Sequence, residues 1–494
     1  MRIVGAGHVG VESASPESLD LAWVNRGPPN TAMAQGMLVI PVLQRLKEIV
    51  TTGPVLTVER ARTLNRAGLI GLVAFALWYT AIWNIRRQVL TLRSLGDYGL
   101  NYEKSVAIGD QLAYPQIGFL YPPPNVVIRL ALGQFGLEVS AIVWMVVLIL
   151  CTLACFMTAL AVLGLSKHPA KFMLAFLALL SVEYPFELDL RYLNGNVVYL
   201  ILILGGLLAF RNARPHAAGV LLAASIAFKL YSLLFFFYFL LKRQYGLCLA
   251  MMLGIVGLFV LLPIAWFGVS PAWAITKSWL DAVAGTSSLQ IPWEYPTVLL
   301  SFHKTLLTLL TANGGKGVYN VLSLQEGAIL PIVRCLQVAW LLFVGLYWWV
   351  SRRTENWSDS GTILLMDAGV LTIALLPLSP VLQSHHGVVL LLPAILLVSV
   401  VLDAEQARTI RLGALFFLLS GIVELQFGPF GPLRGLGMQM TMNLYMSALI
   451  FLRYMAGQGK LVPLYRGLAS SDPGSSHGPD GNPPSGEGME VSKR

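Results

Sequence analysis

The chain has 494 residues, 56% of them hydrophobic and only 12% charged, with a net charge of +9 and a mean hydropathy of +0.69. A soluble domain carries roughly 25% charged residues, so half that share excludes ordinary globular packing in water. The Lys and Arg flank apolar runs, as topology signals and anionic-lipid contacts do, which argues against a nucleic-acid partner.

Residues 1–65 contain no long apolar run and read as a cytoplasmic N-terminal segment, with Met33 or Met37 as alternative starts. Met33 to Val50 has the pattern of a short amphipathic helix lying on the membrane surface. The first long apolar run begins near residue 66 and many follow, so no cleavable signal peptide is expected. Helices are predicted near 66–85, 139–163, 170–185, 196–210, 216–228, 230–241, 246–268, 331–351, 361–378, 387–402, 411–428 and 437–453. Runs of about 20 apolar residues cross a hydrocarbon core, so residues 66–468 are expected to form an all-α bundle of about twelve transmembrane helices. Residues 469–494, rich in Ser, Gly and Pro, cannot bury apolar area and are expected to be a disordered cytoplasmic tail. Cys151, Cys155, Cys248 and Cys335 fall in apolar segments and act as small hydrophobes. No metal spacing is present, and no metal or other cofactor is expected.

The basic residues orient the bundle. Arg60, Arg62 and Arg66 precede the first helix; later come Lys167 with Lys171, Arg211 with Arg214, Lys242 with Arg243, Arg352 with Arg353, Arg408 with Arg411, and Lys460 with Arg466. The positive-inside rule places all of them in the cytoplasm. That requires residues 216–241 to go out and return as two short helices meeting at Lys229. One continuous helix would leave Lys229 near the bilayer centre, at about 3 kcal/mol on insertion scales. Both termini are then inside, and residues 86–138, 184–195, 269–330 and the turn Ser379–His386 face outward as loops. Arg86, Arg87 and Arg93 argue mildly against this for the first loop, but long loops translocate largely regardless of charge.

Four outer clusters carry candidate chemistry. Asp97, in Gly96-Asp97-Tyr98-Gly99-Leu100-Asn101-Tyr102, follows the first membrane helix closely enough to sit at the membrane face. A carboxylate there can serve as general base on a hydroxyl brought to the interface, or simply as a helix cap or solvated acid. Tyr114 and the stiff Tyr121-Pro122-Pro123-Pro124 follow. The second loop holds Glu183, Glu187, Asp189 and Arg191 before Asn194-Gly195-Asn196. Glu187 and Asp189 could pair on a metal or, more blandly, on Arg191, and Asn196 reads first as an N-cap. Lys229 is a functional candidate as an ionisable residue in a membrane segment, with a structural partner as its alternative. In Ser379-Pro380-Val381-Leu382-Gln383-Ser384-His385-His386, neighbouring histidines at a helix start can donate to a phosphate or merely cap the helix.

At these residues the chain resembles glycosyltransferase family 87, the polyprenyl-phosphate-sugar-dependent enzymes of the GT-C class. The family includes mannosyltransferases of phosphatidylinositol mannoside synthesis and an arabinofuranosyltransferase. The resembling features are Asp97-Tyr98 with Tyr102 and Ala107, Tyr114, Tyr121-Pro122-Pro123, Gly195-Asn196, Gly219 with Lys229, and Ser379-Pro380 with His385-His386. They occur in family order over about residues 95–390. The family often has proline after the lysine, where this chain has Leu230, and an aromatic before the histidine pair, where it has Val381-Leu382-Gln383. The resemblance implies a GT-C bundle in the inner (plasma) membrane with its active site on the extracytoplasmic side. It also implies an inverting transfer of a mannose- or arabinofuranose-like sugar from a polyprenyl-phosphate donor to a glycolipid or envelope-glycan acceptor. The residue matching Asp97 deprotonates the acceptor; His385, His386 and Lys229 meet the donor phosphate; Tyr98, Tyr102, Tyr114 and Asn196 bind substrate. The alternatives are a transporter or flippase of lipid-linked sugars, which would show paired broken helices in two halves, and an envelope glycan polymerase or ligase.

Overall fold

The computed structural model describes residues 58–80, 96–114, 121–285, 322–351, 361–376, 383–403, 405–427 and 434–458, with isolated positions at 306, 310, 311, 460, 461 and 464. All belong to one compact unit, Val55–Arg494. The expectations for residues 33–50 and 469–494, for Arg86, Arg87, Arg93, Arg352 and Arg353, and for Ser379 to Leu382 lie outside the described residues.

Among the described residues every regular element is helical and no strand occurs. The order begins with α1 (Val58–Trp78), α2 (Gly96–Gln111), α3 (Pro123–Gly133), α4 (Leu137–Val162), α5 (Lys171–Ser181), α6 (Glu183–Arg191), α7 (Asn196–Arg211) and α8 (Pro215–Phe228). It continues with α9 (Leu233–Leu241), α10 (Tyr245–Val256), α11 (Leu262–Phe267), α12 (Val269–Gly285), α13 (Glu326–Ser351), α14 (Gly361–Leu375), α15 (Leu391–Leu402), α16 (Arg408–Phe427) and α17 (Arg434–Gly457). Helices over Leu137–Val162, Tyr245–Phe267, Gly327–Ser351 and Ser384–Leu402 are long and apolar enough to cross a membrane, and shorter apolar helices lie among them. Leu150, Leu253 and Leu342 are each more than 60% exposed on the long helices. Large apolar side chains turned outward all along a helix suit lipid rather than water.

Small residues let the short helices approach closely, as expected where lipid is as apolar as the side chains. Gly219 of α8 lies against the α10 backbone, where a Cβ would overlap the Leu247 carbonyl. Gly68 and Gly71 of α1 fit against Phe172, Met173 and Phe176 of α5 in the same way.

The segments expected to be outer loops are themselves largely helical where described. Residues 86–138 contain α2 and α3, residues 184–195 contain most of α6, and residues 269–330 contain α12. Local signals account for this. Asp97 stands in the first turn of α2, where the helix dipole favours an acid. Pro122 is extended (φ −69°, ψ 161°) and Pro123 opens α3, a position that needs no N–H.

At Lys229 the apolar stretch breaks without a proline. Lys229 is extended (φ −148°, ψ 123°) between α8 and a 3₁₀ turn at Leu230–Ser232 that leads into α9. The break brings Lys229 to the same end of the bundle as the starts of α4 and α7. The opposite end holds basic residues: Arg211 donates to the Ala161 carbonyl at the end of α4, and Arg411 donates to Val401 O at 3.0 Å. There, too, Asp367 of α14 accepts from Tyr238 and Tyr347 at 2.9 Å each and pairs with Arg453 at 3.8 Å.

Candidate active site

The turn between α6 and α7 is the organising piece. Leu193 takes a left-handed conformation (φ 49°), and the Asn194 N–H returns to the Asp189 carbonyl at 2.9 Å. Asp189 is fully buried and caps α7 from one turn away. Its carboxylate accepts the Asn196 side-chain amide at 2.6 Å, the Asn196 N–H at 3.4 Å and the Val197 N–H at 3.0 Å. Two of these three donors are backbone N–H groups of the first turn, which would otherwise lack an intrahelical partner. The N-cap position itself is Gly195 and Asn196 is the first helical residue, so the capping side chain is Asp189 rather than Asn196.

Asn194 then joins three elements. Its Nδ2 donates to Asp97 Oδ2 of α2 at 2.8 Å and lies 3.0 Å from His385 Nε2, at the start of the 3₁₀ run Ser384–Leu390. Its Oδ1 accepts from the Gly195 N–H at 2.8 Å and from the Tyr121 hydroxyl at 3.2 Å. A backbone N–H can only donate and an ionised carboxylate can only accept, so the amide has one workable orientation. His385 Nε2 therefore accepts, and in the neutral ring the proton sits on Nδ1. His386 uses Nδ1 to accept the Gln383 N–H at 3.3 Å, leaving Nε2 as its available donor. The two imidazoles meet edge to face at 4.7 Å. Lys229 acts electrostatically on Asp97, Asp189, His385 and His386, which gathers the predicted acid, lysine and histidines at one place.

Burial pushes the Asp97 carboxyl above the usual carboxylate range, while the Asn194 hydrogen bond and the charges of Arg129, Lys229 and Lys104 hold it down. A half-buried carboxylate with a strengthened proton affinity is a better base than a solvated one.

The tyrosines fare differently. Tyr98 is fully buried, 6.2 Å from the Trp144 ring, and Trp144 donates to Leu193 O at 3.0 Å. Tyr102 lies against Gly133 of α3. Tyr114 belongs to an apolar cluster with Ile108, Val126, Ile275 and Trp279, and its hydroxyl donates to Tyr121 O at 2.9 Å. Glu187 and Asp189 do not converge: Asp189 caps α7, while Glu187 acts on Glu183 and Tyr79. Among the described residues no group of three His, Cys, Asp or Glu could hold a metal. Two residues were not singled out from the sequence. Asn194 stood only as part of Asn194-Gly195-Asn196, and Arg129 is an isolated charge in an apolar run, four residues after Asn125. That isolation was its available signal.

These features define a helical membrane protein with a half-buried, hydrogen-bonded acid beside a lysine and two histidines at one end of its bundle. The model of glycosyltransferase family 87 matches residues 119–380, just over half of the chain, and the chain belongs to that family. It is therefore a membrane glycosyltransferase. Asn194, Asn196 and Lys229 lie within the matched span, whereas Asp97, Tyr98, Tyr102 and Tyr114 precede it and His385 and His386 follow it. No curated protein and no solved structure matches the chain.

Proposed function

We propose that the protein transfers a sugar, of mannose or arabinofuranose type, from a polyprenyl-phosphate donor to a hydroxyl of a glycolipid or envelope glycan. The observation that carries this is the Asp97–Asn194–His385 chain, half-buried at Asp97 and buried at the other two, beside Lys229. Asp97 takes the acceptor hydroxyl proton as the oxygen attacks the anomeric carbon. The bond from that carbon to the phosphate oxygen breaks, its electron pair leaves on polyprenyl phosphate, and the configuration inverts. The leaving phosphate gains charge, so a lysine and the free Nε2–H of His386 stabilise the transition state more than the ground state. His385, with Nε2 turned to Asn194, orients the base. Asn196 supports the site through Asp189, Tyr98 and Tyr102 brace α2 against its neighbours, and Tyr114 anchors the segment that follows it in an apolar cluster. Family membership favours this reading over a transporter, since a transporter needs no base.

The test is the purified protein with a panel of polyprenyl-phosphate sugars and envelope glycolipids, following release of polyprenyl phosphate. Sugar-dependent release with glycolipid product is expected; no release from any member would sink the donor class. Asn194→Ala gives a sharper check. It removes the hydrogen bond that lowers the Asp97 pKa, so that pKa rises further. The ascending limb of the pH profile of kcat/KM therefore moves to higher pH, and an unmoved limb would detach Asn194 from the base.

We further propose about twelve membrane crossings of the inner membrane, with cytoplasmic termini and this site outside, supported by the basic residues at the opposite end of the helices. A cysteine placed at the exposed Asp110 should then react with an impermeant maleimide applied to intact cells. Protection there, with reaction near Arg211, would invert the orientation.

A further inference from the structure

Tyr192 closes α6 with its ring turned out of the protein. It is 39% exposed, whereas Leu193 to Val197, the turn and the start of α7 that follow it, are all buried. Its backbone has little freedom. The Tyr192 N–H returns to Leu188 O at 3.0 Å, and Trp144 holds the next carbonyl, Leu193 O. The ring lies 6.1 Å from the His385 imidazole, tilted by 59°. A single exposed aromatic needs no explanation by itself. This one stands in the turn that presents Asn194, at a fixed distance from the Asp97–Asn194–His385 chain.

The other aromatic rings near that chain are already engaged. Tyr98 is fully buried and Trp144 nearly so, and Tyr114 belongs to an apolar cluster. Tyr121 gives its hydroxyl to Asn194 and its ring face to the Arg129 guanidinium, 5.4 Å away. Tyr192 is the ring among them left open to a ligand. A sugar ring is polar at its rim but carries C–H groups on its faces, and the negative face of an aromatic ring attracts such hydrogens. The position suits the transferred sugar. His385 stands between Asn194 and Tyr192, and the next residue, His386, has its Nε2–H available for the leaving phosphate. In the reaction proposed above, the anomeric carbon lies between that phosphate and the hydroxyl deprotonated by Asp97, so the sugar ring has to lie beside His385.

We infer that Tyr192 is a sugar-binding residue, its ring face packing against the sugar carried by the polyprenyl-phosphate donor. This rests on the donor class proposed above. It assigns recognition of the sugar to the end of α6 and its turn, and leaves the tyrosines of α2 to hold the fold.

The experiment is equilibrium binding to the full-length protein in detergent, using polyprenyl-phosphate mannose, its arabinofuranose counterpart and sugar-free polyprenyl phosphate. Tyr192→Ala should weaken binding of the sugar-bearing donor by about tenfold, as for loss of one aromatic contact, with polyprenyl phosphate binding unchanged. Tyr192→Phe, which keeps the ring, should retain most of the donor affinity. In turnover, Tyr192→Ala should raise the KM for the donor and leave that for the acceptor in place. Should the Ala variant fail to fold, Tyr192→Leu keeps apolar bulk against His385 without an aromatic face, and the same sugar-dependent loss is expected of it. Equal losses for the sugar-bearing and sugar-free lipids would make Tyr192 a support for His385 or an anchor at the membrane interface, and would overturn the assignment. Unchanged binding of all three lipids would overturn it too, while leaving the donor class standing. Wild-type protein that bound neither sugar-bearing donor would overturn the donor reading itself, and the ligand named here with it.

Discussion

Asp97→Asn is expected to lower turnover by about 10²- to 10⁴-fold, the usual worth of general-base assistance, while the protein folds and binds donor as before. The substitution conserves size, and the new amide oxygen can still accept the Asn194 Nδ2–H that now reaches Asp97 Oδ2 at 2.8 Å. What it removes is the capacity to take a proton, so kcat and kcat/KM should fall together. Were the acid only a first-turn partner of the α2 dipole, Asn would serve nearly as well and activity would survive. Asp110 is the control: it is exposed, on the same helix, and Asp110→Asn should leave turnover within about twofold, as surface changes usually do. Asp189 is not a fair control, because its carboxylate holds the start of α7 and hence the turn that presents Asn194. Wild-type turnover in Asp97→Asn would place the base on another residue.

The second large effect is on stability and belongs to the opposite end of the molecule. Asp367→Ala is expected to destabilise the protein by about 3–5 kcal/mol, the range for stripping one partner from a buried ion pair. The Asp367 side chain is fully buried, as is nearly all of Arg453, its partner at 3.8 Å. The same carboxylate accepts the hydroxyls of Tyr238 and Tyr347 at 2.9 Å and of Ser351 at 3.3 Å. Four helices, α9, α13, α14 and α17, thus meet on one side chain, and Ala would leave a guanidinium and three hydroxyls facing a void. The readout is the melting temperature in detergent, with the activity per folded molecule retained. Asp367→Leu combined with Arg453→Leu should cost less than Asp367→Ala alone, because removing both charges also removes the desolvation burden. An Asp367→Ala protein that melts with the wild type would show that this cluster does not bind the helices together.

Much of the architecture is a local property and was therefore legible in residue order. The length of an apolar run is set by the bilayer rather than by its neighbours, and the stretches near 139–163, 196–210, 246–268 and 387–402 are helical close to those bounds. The bend at Lys229 followed from the same logic: an ammonium is too costly at mid-membrane, so the chain has to turn there, and it does so without a proline. Legible too was the gathering of Asp97, Lys229, His385 and His386, since each stands at the same end of an apolar run. The segments expected to be outer loops were less so. Two of their helices, α3 and α6, have only 11 and 9 residues, and helices that short rest on tertiary contacts that composition does not reveal.

What only the tertiary structure decided is the pairing of polar groups. Asn194 binds Asp97 and His385 from 97 and 191 positions away, distances at which no periodicity operates. Which carboxylate becomes a base and which a cap is set by the same packing. Asp97 meets one amide and the fields of three cations, whereas Asp189 meets the N–H groups that begin α7. The residue types of Asp97, Asp189 and Asp367 are identical. Hydrophobicity and charge along the chain determine where segments lie in the membrane, because transfer energies add residue by residue. The hydrogen-bond partners of a buried acid depend instead on which helix faces come together.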